Sequence, residues 1–219
     1  MKTASSGGPT LRTDRASETR ELILTAAERL FAEHGVFVVS NRQVSEAAGQ
    51  GNNAAVGYHF GTKADLVRAI VEKHSVPIEQ KRAQLLRSVE GSTRLRDWVS
   101  CFVRPAIDHL AELGSPTWHA RFSAQVMTDP ALRTIMENEA LISPSLRRTI
   151  DGLAECVPDL PDDVRRTRSN MAQYLMVHMS AERERELAES VSGDAANWQD
   201  CGTDLIDAIV AIWQAPVTR

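Results

Sequence analysis

Apolar positions along this chain recur at three- and four-residue intervals almost throughout, which is the spacing of helices with one buried face. Leu22, Ile23, Ala26, Ala27, Leu30 and Phe31 form the first such stripe. It predicts a helix from about Glu18 to His34, with Ser17 as N-cap and Gly35 as terminator. Ser40 and Gln43 have the spacing of a capping box that opens a second helix, with Val44, Ala47 and Ala48 as its buried side and Gly49 as its stop. A third short helix is expected from about Asn53 to His59. Thr62 and Asp65 repeat the capping signal and open a fourth helix carrying Leu66, Val67, Ile70 and Val71. Pro77 removes a backbone donor and biases Val76 away from helical geometry, so a kink or break is expected at Ser75 to Pro77.

The later stripes are longer. Leu95, Trp98, Val99, Phe102, Ala106, Leu110 and Leu113 predict a fifth helix. Ser115-Pro116 reads as an N-cap followed by proline in the first turn of a sixth, which carries Trp118, Phe122, Val126 and Met127. Asp129-Pro130 opens a seventh, interrupted at Ile142 to Pro144, and a short helix follows to about Cys156. A long helix is expected from about Asp162 to Ser190, and a last one through Leu205, Ile206, Ile209, Val210 and Trp213. The pattern is all-α, with about nine or ten helices and no internal repeat. The division expected is a flexible arm over residues 1–16, a helical head over 17–75 and a helical body over 76–219.

Composition narrows the functions on offer. The chain has 219 residues, of which 42% are hydrophobic and only 5% aromatic, a globular make-up that favours helix. No apolar run approaches a membrane span, and the opening residues have no hydrophobic segment. Cys101, Cys156 and Cys201 are far apart and form no zinc or disulfide pattern, as expected of reduced thiols in a cytoplasmic protein. A bundle oxidase needs Glu-x-x-His pairs, and none of the six histidines has a glutamate three residues before it. No phosphate loop or nucleophile elbow is present either. Neither enzymatic activity nor a metal or cofactor is therefore expected. Net charge is −4, with the acidic excess in the body, so charge alone does not point to nucleic acid.

The segment SNRQVSEAAGQGNNAAVGYHFGTKADL, residues 40–66, does point there. Two short helices across a glycine turn have the grammar of a helix-turn-helix, whose second helix lies in the DNA major groove. Together with TAAERLFAEHG before it, this segment resembles the tetracycline-repressor-like (TetR) family of bacterial regulators, over roughly residues 18–70. The resemblance implies a three-helix DNA-binding head and a helical effector-binding and dimerisation body. It implies a ligand-responsive regulator, a repressor released from a palindromic double-stranded operator by a small molecule, acting as a homodimer away from any membrane.

Carried over by motif, Arg42 would be a base reader able to grip guanine in two bonds, with a solvated surface charge as the alternative. Asn53 is read as a base reader or as an N-cap, with Asn41, Asn52 and Ala54 beside it. Tyr58 and His59 match positions that touch backbone or thymine methyls, and Tyr58 also fits a packing role. The resemblance also implies phosphate contacts at Lys63, Thr62 and Ser40, with an ordinary surface charge as the alternative for Lys63. Arg12 and Arg15 of the arm would reach a neighbouring groove. Two departures stand out. The turn before Tyr58 reads one residue longer than in most members, which leaves the base-reading positions either where the motif places them or one residue away. Gly57 stands where many members carry a phosphate-binding tyrosine. For the effector, taken to be apolar or aromatic, the candidate lining is Trp98, Phe102, Trp118, Phe122, Met127, Tyr174 and His178, with ordinary core packing as the alternative for each.

Two other readings compete with this one, an enzyme and a protein-binding helical scaffold. The scaffold would leave Arg42, Asn53 and Lys63 without a joint purpose.

Overall fold

The computed structural model describes residues 9–52, 54–189 and 196–218, with the side chains of 9–14, 140, 196 and 197 excepted. Among the described residues there are ten helices and no strands. They are α1 (Pro9–His34), α2 (Asn41–Ala47), α3 (Ala55–Phe60), α4 (Lys63–Val89), α5 (Leu95–Leu113), α6 (His119–Thr128), α7 (Pro130–Ile142), α8 (Pro144–Glu155), α9 (Asp162–Glu189) and α10 (Ala196–Gln214). Among the described residues no helix is long and apolar enough to cross a membrane.

Three boundaries differ from the sequence pattern. α1 begins at Pro9, so Ser17 lies inside a helix and caps nothing. Residues 9–16 of the expected arm are helical, Arg12 and Arg15 among them, and residues 1–8 lie outside the described chain. α4 runs through Pro77 without a break. An internal proline forfeits the bond to the carbonyl four residues earlier and costs about 3 kcal/mol. Packing on both sides of the proline offsets that cost: Leu66, Val67 and Ile70 are buried in one core, Leu86 in another. α6 starts at His119 and not after Ser115. Its first amides are satisfied from across the fold, because the buried Glu184 carboxylate of α9 accepts from the backbone N–H of Ala120 (3.0 Å) and of Arg121 (2.9 Å). A remote carboxylate does the work of a local cap, and favours the positive end of the helix.

Two apolar cores share α4. The first joins Ile23, Ala27 and Phe31 of α1 to Val44, Val56, Phe60, Leu66 and Ile70, and it also takes in Phe122 and Val126 of α6 and Leu132 and Ile135 of α7. The Phe31 and Phe122 rings stack with centroids 6.4 Å apart. The head is thus closed from behind by the body. The second core packs Leu86, Trp98, Val99, Ile107, Leu153, Ile206, Ile209 and Trp213. Trp98 donates its indole N–H to the Ser92 carbonyl (2.9 Å). Gly152 lies flat against that indole, and a Cβ there would fall 2.2 Å from the ring.

Candidate nucleic-acid interface

α2 and α3 are fixed by their ends. The Ser40 hydroxyl accepts from the Gln43 N–H (3.2 Å) and the Gln43 side chain accepts from the Ser40 N–H (2.8 Å), the expected capping box. Gly49 leaves α2 at φ +68°, a left-handed turn that favours glycine. The Asn52 side chain then accepts from the Ala54 N–H (2.9 Å) and shapes the entry to α3. α3 begins at Ala55, later than the pattern suggests, and Ala54 at its N-cap supplies no side-chain bond. Asn53 lies outside the described residues.

Val44, Val56 and Phe60 face the core, and the opposite side of the pair is open. Ser40, Arg42, Asn52, Ala54 and Thr62 are exposed, and Asn41, His59 and Lys63 are half-buried. Tyr58 is 84% exposed, with its ring edge-on to His59 at 5.1 Å. An exposed tyrosine offers a partner both an apolar ring and a polar hydroxyl. Arg42 is exposed and pairs along its own helix with Glu46 at 2.8 Å. That pair contributes little to stability, so the guanidinium can be given to another acceptor.

Two candidates carry structural duties that the motif does not reveal. Lys63 donates from Nζ to the carbonyls of Val39 (2.6 Å) and Val36 (3.0 Å), tying α4 to the loop before α2. Burial holds its pKa below the usual lysine value. Thr62 shares a capping box with Asp65, and the Asp65 carboxyl is held below the usual range by bonds from Thr62 and by Arg68. Sequence reasoning also passed over Arg20. Its guanidinium donates to the His59 carbonyl (3.1 Å) and lies 4.2 Å over the Phe60 ring, so it ties the end of α3 to α1. The signal available was an arginine on the otherwise apolar flank of α1.

The candidate effector residues do not converge on one cavity. Trp98 and Phe102 belong to the second core, while Trp118 and Phe122 belong to the first. Met127 is buried and touches Gln173. Tyr174 and His178 stack on the outer face of α9, where Arg133 donates to the Tyr174 hydroxyl at 3.0 Å. A cleft of about 220 Å³ between α9 and α10 and another of about 640 Å³ beside α4, α5 and α10 are lined by none of the seven.

Behind the interface lies a polar seam that the sequence pattern did not reveal. Glu28 of α1, His74 of α4, His109 of α5 and His119 of α6 meet between the two cores. His74 Nε2 lies 3.1 Å from a Glu28 carboxylate oxygen and His74 Nδ1 lies 2.8 Å from His109 Nε2. The His119 ring stacks on His74 at 3.7 Å, and its Nδ1 is sealed from solvent with no hydrogen-bond partner. Burial, reinforced by the neighbouring imidazoles, pushes His109 down to about 4 and holds His119 well below the ordinary histidine range. Both rings are therefore neutral at pH 7.

Comparison with known proteins bears on both halves. Residues 23–70 match the family described as bacterial regulatory proteins, tetR family. Residues 100–211 match the tetracyclin repressor-like C-terminal domain. The HTH-type transcriptional regulator TtgR of Pseudomonas putida is 25% identical over 202 residues, covering 88% of this chain and 93% of that protein. The HTH-type transcriptional repressor AcnR of Corynebacterium glutamicum is 30% identical over 125 residues, 55% of this chain and 57% of its own length. Among solved structures, NalD, the secondary repressor of the MexAB-OprM multidrug efflux pump in Pseudomonas aeruginosa, superposes with a TM-score of 0.56 at 23% identity. That match covers 89% of this chain and 96% of NalD, and it bears on the fold.

Proposed function

This chain belongs to the tetR family of bacterial regulatory proteins, and we propose that it is a cytoplasmic homodimeric repressor, released from a palindromic operator when a small molecule binds its body. The observation that carries the reading is the open face of α2 and α3. Arg42, Asn52 and Tyr58 project there with no core to fill, on a scaffold locked by two capping boxes. Arg42 on guanine, Tyr58 and His59 on backbone or methyl groups, and phosphates at Ser40, Thr62 and the remaining Lys63 donor make one contact set.

The dimer is supported by α9. α9 buries Val164, Ala172, Val177 and Ala181, yet leaves Met171, Tyr174 and Met179 51%, 40% and 48% exposed. Apolar side chains left exposed on a helix already packed against the body suit a second copy of the chain. The two reading heads would then address two half-sites. α4 supports the response, because this one helix enters both cores and a ligand that prefers one placement of it would move the head. The effector stays with the apolar or aromatic class, for which Trp118, Phe122 and Met127 are the candidates nearest the head.

Selection of bound duplexes from a random pool, run beside Arg42→Ala, tests the reading. The expected result is an enriched palindrome whose binding falls with salt and is weakened by the substitution. No enrichment at low salt from folded protein would reject it.

A further inference from the structure

We propose that Glu28, His74 and His119 form a binding site for one divalent transition-metal ion, set between the DNA-binding head and the helical body. Each residue offers one ligand atom, and these atoms lie within 4.8 Å of one another. Ligands at about 2.0–2.2 Å from a tetrahedral zinc are about 3.3 Å apart, so movements of about an ångström close the set. Two imidazoles and one carboxylate suit zinc, cobalt, nickel or ferrous iron, whereas magnesium and calcium prefer all-oxygen cages.

Two further observations point to an ion. The Nδ1 of His119 is sealed away without a partner, a costly state for a buried polar atom that a metal bond would relieve. His109 already holds the far nitrogen of His74 at 2.8 Å. With a metal on His74 Nε2, its Nδ1–H donates to His109 Nε2, the outer bond that orients a ligating histidine.

The stacking gives the site a consequence. His74 and His119 lie nearly parallel, 18° apart, so their in-plane lone pairs run side by side. Converging on one ion requires the rings to tilt, and His119 is the first residue of α6, whose Phe122 closes the head core. An ion that favours the tilted arrangement would shift α6 against α4. This regulatory consequence rests on the function proposed above, and the site itself does not.

Untagged full-length protein, stripped with a chelator, is dialysed against graded free zinc and the bound metal counted. The expectation is one zinc per chain, with affinity at least tenfold weaker in His119→Ala and in Glu28→Gln and unchanged in His34→Ala, whose ring is on the surface. No uptake at about 100 μM free zinc, a very weak affinity by any standard, overturns the proposal. So does uptake indifferent to both ligand substitutions. Should these variants unfold, cobalt added to the unaltered protein decides. Ligand-field bands without an intense thiolate band support a nitrogen and oxygen set. A thiolate band assigns the ion to cysteine and overturns the site. Because uptake is read on free protein, failure to select an operator removes the regulatory reading and leaves this result standing.

Discussion

The reading face and the seam behind it are both polar, but they are built in opposite ways. On the face, Ser40, Gln43, Thr62 and Asp65 close their hydrogen bonds within three residues, which leaves Arg42 and Tyr58 free to point outward. In the seam, Glu28, His74, His109 and His119 come from four helices and meet through contacts between residues distant in the chain. A surface meant for a partner is preorganised locally and spends nothing on its outward groups. A seam that joins two bodies binds distant segments and makes each depend on the others. The difference teaches that the head is locally specified but supported from the body.

The hardest test of that contrast is Phe122→Ala. Phe122 is fully buried in the head core although it belongs to α6. Truncating a buried phenylalanine costs about 3–5 kcal/mol. Thermal melting is expected to fall steeply, with operator affinity falling alongside it. A head that melted independently and bound DNA as before would break the contrast. Arg42→Ala is the counterpart on the face. Each half-site should lose roughly 10–100-fold in affinity, the worth of one bidentate base contact, with melting unchanged because its pair with Glu46 is solvent-exposed. A large loss of stability there would make Arg42 a structural residue.

Legibility followed the same division. Capping boxes, the glycine exits at Gly35 and Gly49 and the helical stripes are local, so the element order and the TetR-like motif could be read from spacing. What could not be read was set by partners far away in the chain. The α6 start depends on Glu184, more than sixty residues downstream, and Pro77 sits inside α4 because cores on both sides hold the helix. The four seam residues carry no common motif. Of the candidate site, the exposure of Arg42 and Tyr58 was foreseeable from the buried positions around them. The scatter of the aromatic effector candidates over two cores was not, because a helical stripe says which side is buried and not which core receives it.

Lys63→Met sharpens the comparison from the boundary between the two regions. It keeps the apolar stem but leaves the Val36 and Val39 carbonyls without their donor. A loss of about 1–2 kcal/mol is expected in chemical denaturation. The slope of log affinity against log salt should also flatten by about two, the share of one phosphate contact in each half-site. Loss of stability with an unchanged salt slope would place Lys63 wholly within the scaffold.

The smallest effect expected lies furthest from the face. Glu79 of α4 accepts from the Ser145 N–H (2.9 Å) and from the hydroxyls of Ser143 and Ser145, and so anchors the start of α8. Burial pushes its carboxyl up, but those bonds and the charge of Arg82 outweigh it and hold the pKa below the ordinary 4.5. A depressed carboxylate contributes stability that is present above 4.5 and is lost as pH falls through the lowered value. The group is partly solvated, so the contribution should be below about 1 kcal/mol. Unfolding of the unaltered protein and of Glu79→Gln, compared from pH 7 down to pH 3, should differ most at pH 7 and converge at the acid end. Parallel curves would mean that the serine bonds serve the neutral and charged carboxyl alike. The α4–α8 joint would then hold by packing, as the head core does, and not by charge.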